Sequence, residues 1–230
     1  MKINHMLKYF ISFLIIFFFT INSSSTESND TIEKFGIRAG IDLNKVIRSA
    51  TNKDYKGFSI NGDIRIKESL YIFSELGNEE KQVNSYYINS NIKGSYIKTG
   101  LNFKLTRDVG IQNFVYSGFN IGFSKFDQLI NSYTIYNTNS SVWGESTINE
   151  PIVLSDLNAI WFELLFGIKT EIFNNLFLGI ELQLKSVVSQ KNKDEITNLY
   201  IPGFNKTYDS SKLGAGFSYR ISYLIPVVKK

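Results

Sequence analysis

The chain has 230 residues, with 25 Lys and Arg against 21 Asp and Glu, 15% aromatic residues, 3 Pro and no Cys. Without Cys there is no disulfide framework, no thiol catalysis and no lipid-anchored cysteine. The net charge of +4 is scattered rather than clustered, which leaves no basic patch for nucleic acid. The mean hydropathy of −0.09 is too polar for a helical membrane protein, but it suits strands in which apolar and polar residues alternate.

Lys2 and Lys8 flank the start of an apolar run over residues 9–21, followed by a small polar stretch at 22–25. This reads as a cleaved signal peptide over residues 1–25, because the run is shorter than the ~20 residues of a spanning helix. The only histidine, His5, lies in that segment, so the mature chain has neither His nor Cys. Residues 26–34 read as a short disordered segment, and residues 35–230 as one β domain.

Eight strands are expected after the signal. The first covers residues 35–43, with Ile37, Ala39 and Ile41 opposite Arg38 and Asp42. The second covers 56–67 and has the clearest alternation: Phe58, Ile60, Gly62, Ile64 and Ile66 against Ser59, Asn61, Asp63, Arg65 and Lys67. The third, 70–77, places Leu70, Ile72 and Leu76 opposite Glu75. The fourth, 95–105, opposes Ile97, Leu101 and Phe103 to Tyr96, Lys98 and Asn102. The fifth, 113–126, carries Phe119, Ile121 and Phe123 on one face, and Lys125 is read as breaking the phase at its end. The sixth, 158–173, opposes Ile160, Leu164, Phe166 and Ile168 to Trp161, Glu163, Lys169 and Glu171. The seventh, 176–190, opposes Ile180, Leu182 and Leu184 to Glu181, Gln183 and Lys185. The eighth, 212–228, carries Phe217, Tyr219 and Ile221 against Ser218, Arg220 and Ser222.

The links alternate in length. Residues 44–55, 78–94, 127–157 and 191–211 are long, whereas 68–69, 106–112 and 174–175 are short. Short turns at one rim and long loops at the other are the arrangement of outer-membrane barrels. The expected fold is therefore all-β, an eight-stranded antiparallel up-and-down transmembrane β-barrel.

Alternation does not by itself say which face is inside. A soluble lipocalin-like barrel would hold the apolar phase within and bind a small apolar ligand there. Two features favour the apolar phase outside. Its Phe, Ile and Leu are too bulky to share an eight-stranded interior, and the other phase is rich in Gly and Ser. Slipping the second strand by one residue would place Asp63, Arg65 and Lys67 against lipid, at a cost of roughly 6–10 kcal/mol.

The lumen is then expected to hold Arg38, Asp42, Asp63, Arg65, Glu75, Lys98, Glu163, Lys169, Glu171, Glu181, Lys185 and Arg220. Both signs are present, so these charges form either a paired plug or a narrow path for ions or small solutes.

Catalysis is not expected. A Ser-His-Asp triad and His-based metal sites need residues the mature chain lacks, and no phosphate-binding glycine loop precedes a helix. The pairs Glu79–Glu80 and Asp194–Glu195 read as solvated loop charge. No cofactor and no metal is implied. The loop aromatics Tyr133, Tyr136, Trp143, Tyr200, Phe204 and Tyr208 form either a recognition surface for a protein or glycan or a lid that packs on itself. The partner expected for the barrel wall is outer-membrane lipid, and the expected state is a monomer in the cell outer membrane with no nucleic-acid role.

Several runs carry a resemblance. Asp54-Tyr55-Lys56-Gly57-Phe58, Lys93-Gly94-Ser95-Tyr96-Ile97-Lys98, residues 131–137, Tyr200–Asn205 with Tyr208–Ser211, and Ser222-Tyr223-Leu224-Ile225-Pro226 resemble domain-of-unknown-function family 6048 of Bacteroidota. The resemblance spans nearly the whole mature chain. It implies an outer-membrane-barrel-like protein and assigns no activity. The ending Pro226-Val227-Val228-Lys229-Lys230 departs from the terminal aromatic usual in bacterial barrels.

Overall fold

A computed structural model describes residues 34–106, 113–135, 144, 146–192, 196–206 and 211–229. The predicted signal segment 1–25, Asp194–Glu195 and the loop aromatics Tyr136, Trp143 and Tyr208 lie outside the described residues. The elements run β1 (Lys34–Asp42), α1 (Leu43–Thr51), β2 (Tyr55–Lys67), β3 (Leu70–Asn84), β4 (Ile88–Lys104), β5 (Asn113–Ile135) and β6 (Ser146–Ile148). They continue with β7 (Ile152–Phe173), β8 (Leu176–Gln190), β9 (Tyr200–Ile201), β10 (Asn205–Lys206) and β11 (Leu213–Lys229). Among the described residues no helix is long and apolar enough to cross a membrane.

Eight long strands are hydrogen-bonded in a ring. The order is β4-β3-β2-β1-β11-β8-β7-β5, and a β4–β5 ladder closes it. Every ladder is antiparallel, and each strand pairs with its sequence neighbours; β1 against β11 joins the two ends. Closure leaves no strand edge along the middle of the sheet, so backbone donors and acceptors are satisfied within it. At one rim the links at residues 68–69 and 174–175 are tight. In the β7–β8 link, Asn175 takes φ 66°, a left-handed conformation that Asn tolerates, and its N–H donates to Glu171 Oε1 at 2.6 Å.

Across the middle of the sheet the charged phase faces inward and the apolar phase faces outward. Phe58, Ile60, Ile72, Leu76, Ile97, Ile121, Leu164 and Phe166 are exposed on the outer face, whereas Asp63, Glu75, Lys98, Glu163 and Arg220 are buried.

Toward the long-loop rim the polarity reverses. The outermost apolar row on this side of the ring is Leu76, Ile97, Phe123 and Ile160, each paired with the next across the ladders. The next outward row is Asn78, Ser95, Lys125 and Asn158, and beyond it Glu80, Lys93 and Asp127. Asn78 Nδ2 donates to Ser95 Oγ at 3.0 Å, and Lys125 pairs with Asp156 at 3.0 Å on the outside. Behind these rows the interior turns apolar, with Ile92, Phe126, Ile130, Leu154, Leu157 and Ala159 buried together.

Several predicted boundaries are corrected here. Residues 78–94 are not a loop: β3 and β4 continue through them to a short turn at 85–87. Beyond the apolar row their outward side chains are polar, which removes the alternation that marks a strand in the sequence. Within 127–157 the described residues likewise extend β5 and β7 and add β6. Lys125 does not break the phase; it stays on the outward face, and Phe126 points in. The phase shift lies in β7, where a bulge leaves Asp156 at φ 57° between buried Leu154 and Leu157. Residues 44–55 contain a helix. Asp42 caps it by accepting from the Asn44 N–H at 2.9 Å, and Leu43, Val46, Ile47 and Ala50 recur at helical spacing.

Candidate functional site

The interior of the ring carries charge in layers, stacked from the short-turn rim toward the long-loop rim. In the lowest layer Asp63 on β2 accepts from Arg38 Nε and Lys169 Nζ, both at 2.5 Å. The Arg38 guanidinium lies 4.6 Å from the Tyr71 ring, 5.0 Å from Phe114 and 5.4 Å from Phe177. Tyr71 and Phe114 stack at 5.5 Å, and with Tyr116 they form an aromatic floor. A guanidinium among ring faces keeps attractive partners after losing water.

In the middle layer Arg220 bridges two carboxylates: Nη1 to Glu181 at 2.6 Å and Nη2 to Glu75 at 3.0 Å. Tyr116 donates to Glu181 at 2.9 Å, Tyr96 donates to Glu75 at 2.6 Å, and Gln183 donates to Glu181 at 2.7 Å. In the upper layer Glu163 sits between Lys98 at 3.1 Å and Lys185 at 3.4 Å and accepts from Trp161 Nε1 at 2.8 Å. Charge-assisted bonds of this kind are the strong class, and here each carboxylate has more than one donor.

Ten of the predicted lumen charges are therefore placed together in the interior: Arg38, Asp42, Asp63, Glu75, Lys98, Glu163, Lys169, Glu181, Lys185 and Arg220 are all buried. Arg65 and Glu171 are half-buried near the short-turn rim. Tyr96, Tyr116 and Trp161 belong to the same network and were not in the predicted set. Their signal was available, since all three occupy the inward phase of their strands.

The network's rings lie over luminal glycines. A Cβ on Gly122 would run into the Trp161 ring, one on Gly77 into Tyr96, and one on Gly167 into Tyr116. Gly122→Val is expected to cost about 1–3 kcal/mol through overpacking. Its midpoint in a urea titration of the folded protein checks this.

Above the layers α1 and the β9–β10 hairpin reach inward. Glu79 is fully buried, which corrects its reading as solvated loop charge. One oxygen binds Lys45 of α1, and the other accepts from Tyr200 OH at 2.6 Å and from the Gly203 N–H at 3.0 Å. A single carboxylate thus ties α1 and the β9–β10 hairpin to β3. Burial alone would lower the Lys45 pKa, but Glu79, Glu75 and Asp42 outweigh it and raise it. Burial and Glu79 together hold the Tyr200 phenol well above its ordinary value, so it remains a donor. Glu79→Ala is expected to loosen the hairpin by about 2 kcal/mol. The check is faster hydrogen exchange at the Gly203 amide with the ring still folded.

Of the two readings of the loop aromatics, Tyr200 and Phe204 take the inward one. Tyr200 and Phe204 are buried, and Phe204 meets Trp161 edge-on at 6.1 Å. Their rings close the upper lumen and offer no outward surface. Tyr133 is a half-buried strand residue on β5 that packs against the same cluster.

No curated protein matches this chain. Among solved structures it is similar to Ail, the attachment invasion locus protein of Yersinia pestis, with 8% identity, a TM-score of 0.40, and coverage of 84% of this chain and 99% of that one. The family model described as Domain of unknown function (DUF6048) matches residues 6–230, nearly the full length, and the chain belongs to that family.

Proposed function

We propose that the protein is an outer-membrane β-barrel that spans the bilayer with its eight long strands and keeps a plugged polar lumen. The observation that carries this reading is the inverted polarity of the ring. Charges fill the inside at mid-height, and Phe, Ile and Leu cover the outside. The outward apolar stretch runs over residues 97–105, from β4 into the link after it, and 58–66 on β2. Each is about nine residues, close to the 9–11 that a tilted strand needs to cross a bilayer. The reversal to Asn78, Ser95, Lys125 and Asn158 then marks the upper edge of the lipid-facing belt.

The plug is supported by the aromatic floor, the paired charge layers and the inward lid of Tyr200 and Phe204. In this reading the outward loops carry a structural or recognition role, toward a protein or glycan, and no catalytic role is proposed. The wall's partner is outer-membrane lipid, and the barrel acts as a monomer.

Fractionation with heated and unheated gel migration tests this. A detergent-extracted band that migrates faster unheated is expected. A chain found in the soluble periplasmic fraction with no heat shift would overturn the membrane reading.

A further inference from the structure

The ring has a notch near the long-loop rim. Asp42 faces Arg220 in the uppermost β1–β11 pair, yet β11 continues to Leu213, paired there with β8 alone. Beside residues 213–219 the missing strand is replaced by α1, whose Asn44 Nδ2 donates to the Phe217 carbonyl at 3.2 Å. A cavity of about 420 Å³ lies at this junction. Its lining includes inward Gly216 and Ser218 and also their outward neighbours Ala215 and Phe217, along the edge of β11 beside α1.

The two sides of the notch differ in chemistry. Inside, Lys45, Arg48, Lys98 and Lys185 line it against Asp42 alone. Glu79 and Glu163 answer the three lysines from behind. Arg48 lies 3.9 Å from the Tyr55 ring, and among the described residues no carboxylate pairs with it. Outside, α1 turns its apolar stripe away from the ring, with Val46 39% and Ile47 57% exposed. Leu213 and Phe217 are exposed beside it and continue the apolar belt upward. An amphipathic helix with such a face lies in a membrane interface.

We propose that this notch is a lateral site for one anionic lipid, its phosphate head held by Arg48 and Lys45 and its acyl chain laid along Ile47, Ala215 and Phe217. The occupant follows from charge complementarity inside and from continuity with the belt outside. The site rests on the membrane reading above. A guanidinium offers a phosphate two parallel donors, and an apolar chain on this surface need not leave the bilayer.

The test uses the full chain in neutral-detergent micelles, with dioleoyl phosphatidate and dioleoyl phosphatidylcholine as probes, read by native mass spectrometry. One phosphatidate per protein is expected, with a clear preference over phosphatidylcholine. Arg48→Gln is expected to weaken binding roughly tenfold, and Arg48→Lys to weaken it less. Ala215→Trp, which fills the portal from the outer face, is expected to reduce binding without touching a charge, and Lys93→Gln on the far wall to leave it unchanged. Equal binding of the two lipids, no effect of Arg48→Gln and Ala215→Trp, or full displacement of phosphatidate by an equal concentration of inorganic phosphate would overturn the site. Each variant is first checked for the heat shift. A heat-shifted protein without phosphatidate preference sinks the notch alone, whereas a protein that needs no detergent sinks the membrane reading with it.

Discussion

Asp63→Asn is expected to destabilise the folded protein by about 3–5 kcal/mol, the cost of removing one partner from a buried ion pair. Asp63 is the shared acceptor of Arg38 and Lys169, both buried, and among the described residues no other carboxylate pairs with either. The amide keeps the shape and loses the charge, so two cations remain in the interior with only rings and dipoles around them. Urea titration of the protein folded into liposomes measures the loss. Adding Lys169→Met to Asp63→Asn is expected to recover part of it, because residues in one network do not add independently. The exposed pair Lys125–Asp156 is the contrast, and Lys125→Gln is expected to leave the midpoint where it was. A loss below about 1 kcal/mol for Asp63→Asn would mean that water solvates this layer and that the lumen is open rather than plugged.

Leu164→Arg is expected to cost about 2–4 kcal/mol, the penalty for a cation at the bilayer midplane on the lipid face of a barrel. Leu164 is 53% exposed and lies midway along the apolar outer stretch of β7. Asn158→Arg, on the same strand and face but above the reversal of polarity, is expected to cost about 0–1 kcal/mol. The size of the loss separates the two architectures. On a soluble barrel an exposed Leu exchanged for Arg is neutral within about 0.5 kcal/mol. A flat profile between positions 158 and 164 would therefore contradict a lipid-facing belt.

Much of the ring was legible because β-strand periodicity is strict. The inward positions of Arg38, Asp63, Glu75, Lys98, Glu163, Lys169, Glu181, Lys185 and Arg220 follow from a two-residue repeat, and a slip of one would expose every one of them. What was not legible lies where that repeat loses its apolar half. The upper parts of β3 and β4 read as polar loop because Glu80, Gln82, Asn91 and Lys93 face water there, while Glu79 and Ile92 continue the inward phase. The bulge at Asp156 shifted the phase of β7 and hid its first turn of pairing. Glu79 and Lys45 could not be joined from sequence at all, since their contact depends on how far α1 leans over the rim. The helix itself carries a sequence signal, an Asx cap at Asp42 followed by apolar residues at 43, 46, 47 and 50, which a two-residue strand repeat does not contain. The Tyr200 and Phe204 rings illustrate the same limit, because a loop aromatic has the same sequence signature whether it points out to a partner or in over a lumen.

In the proposed membrane barrel the outer face meets lipid while the charged face is sealed inside. The absence of cysteine allows single-cysteine nitroxide scanning without removing native thiols. Labels at successive positions from 153 to 169 on β7, in reconstituted liposomes, would be read for collision with oxygen, which concentrates in lipid, and with a water-soluble nickel chelate. Oxygen access is expected at 160, 164, 166 and 168, access to neither probe at 161, 163 and 165, and nickel access at 156 and 158. Nickel access at 164 and 166 would place that face in water and rule out a lipid-facing belt.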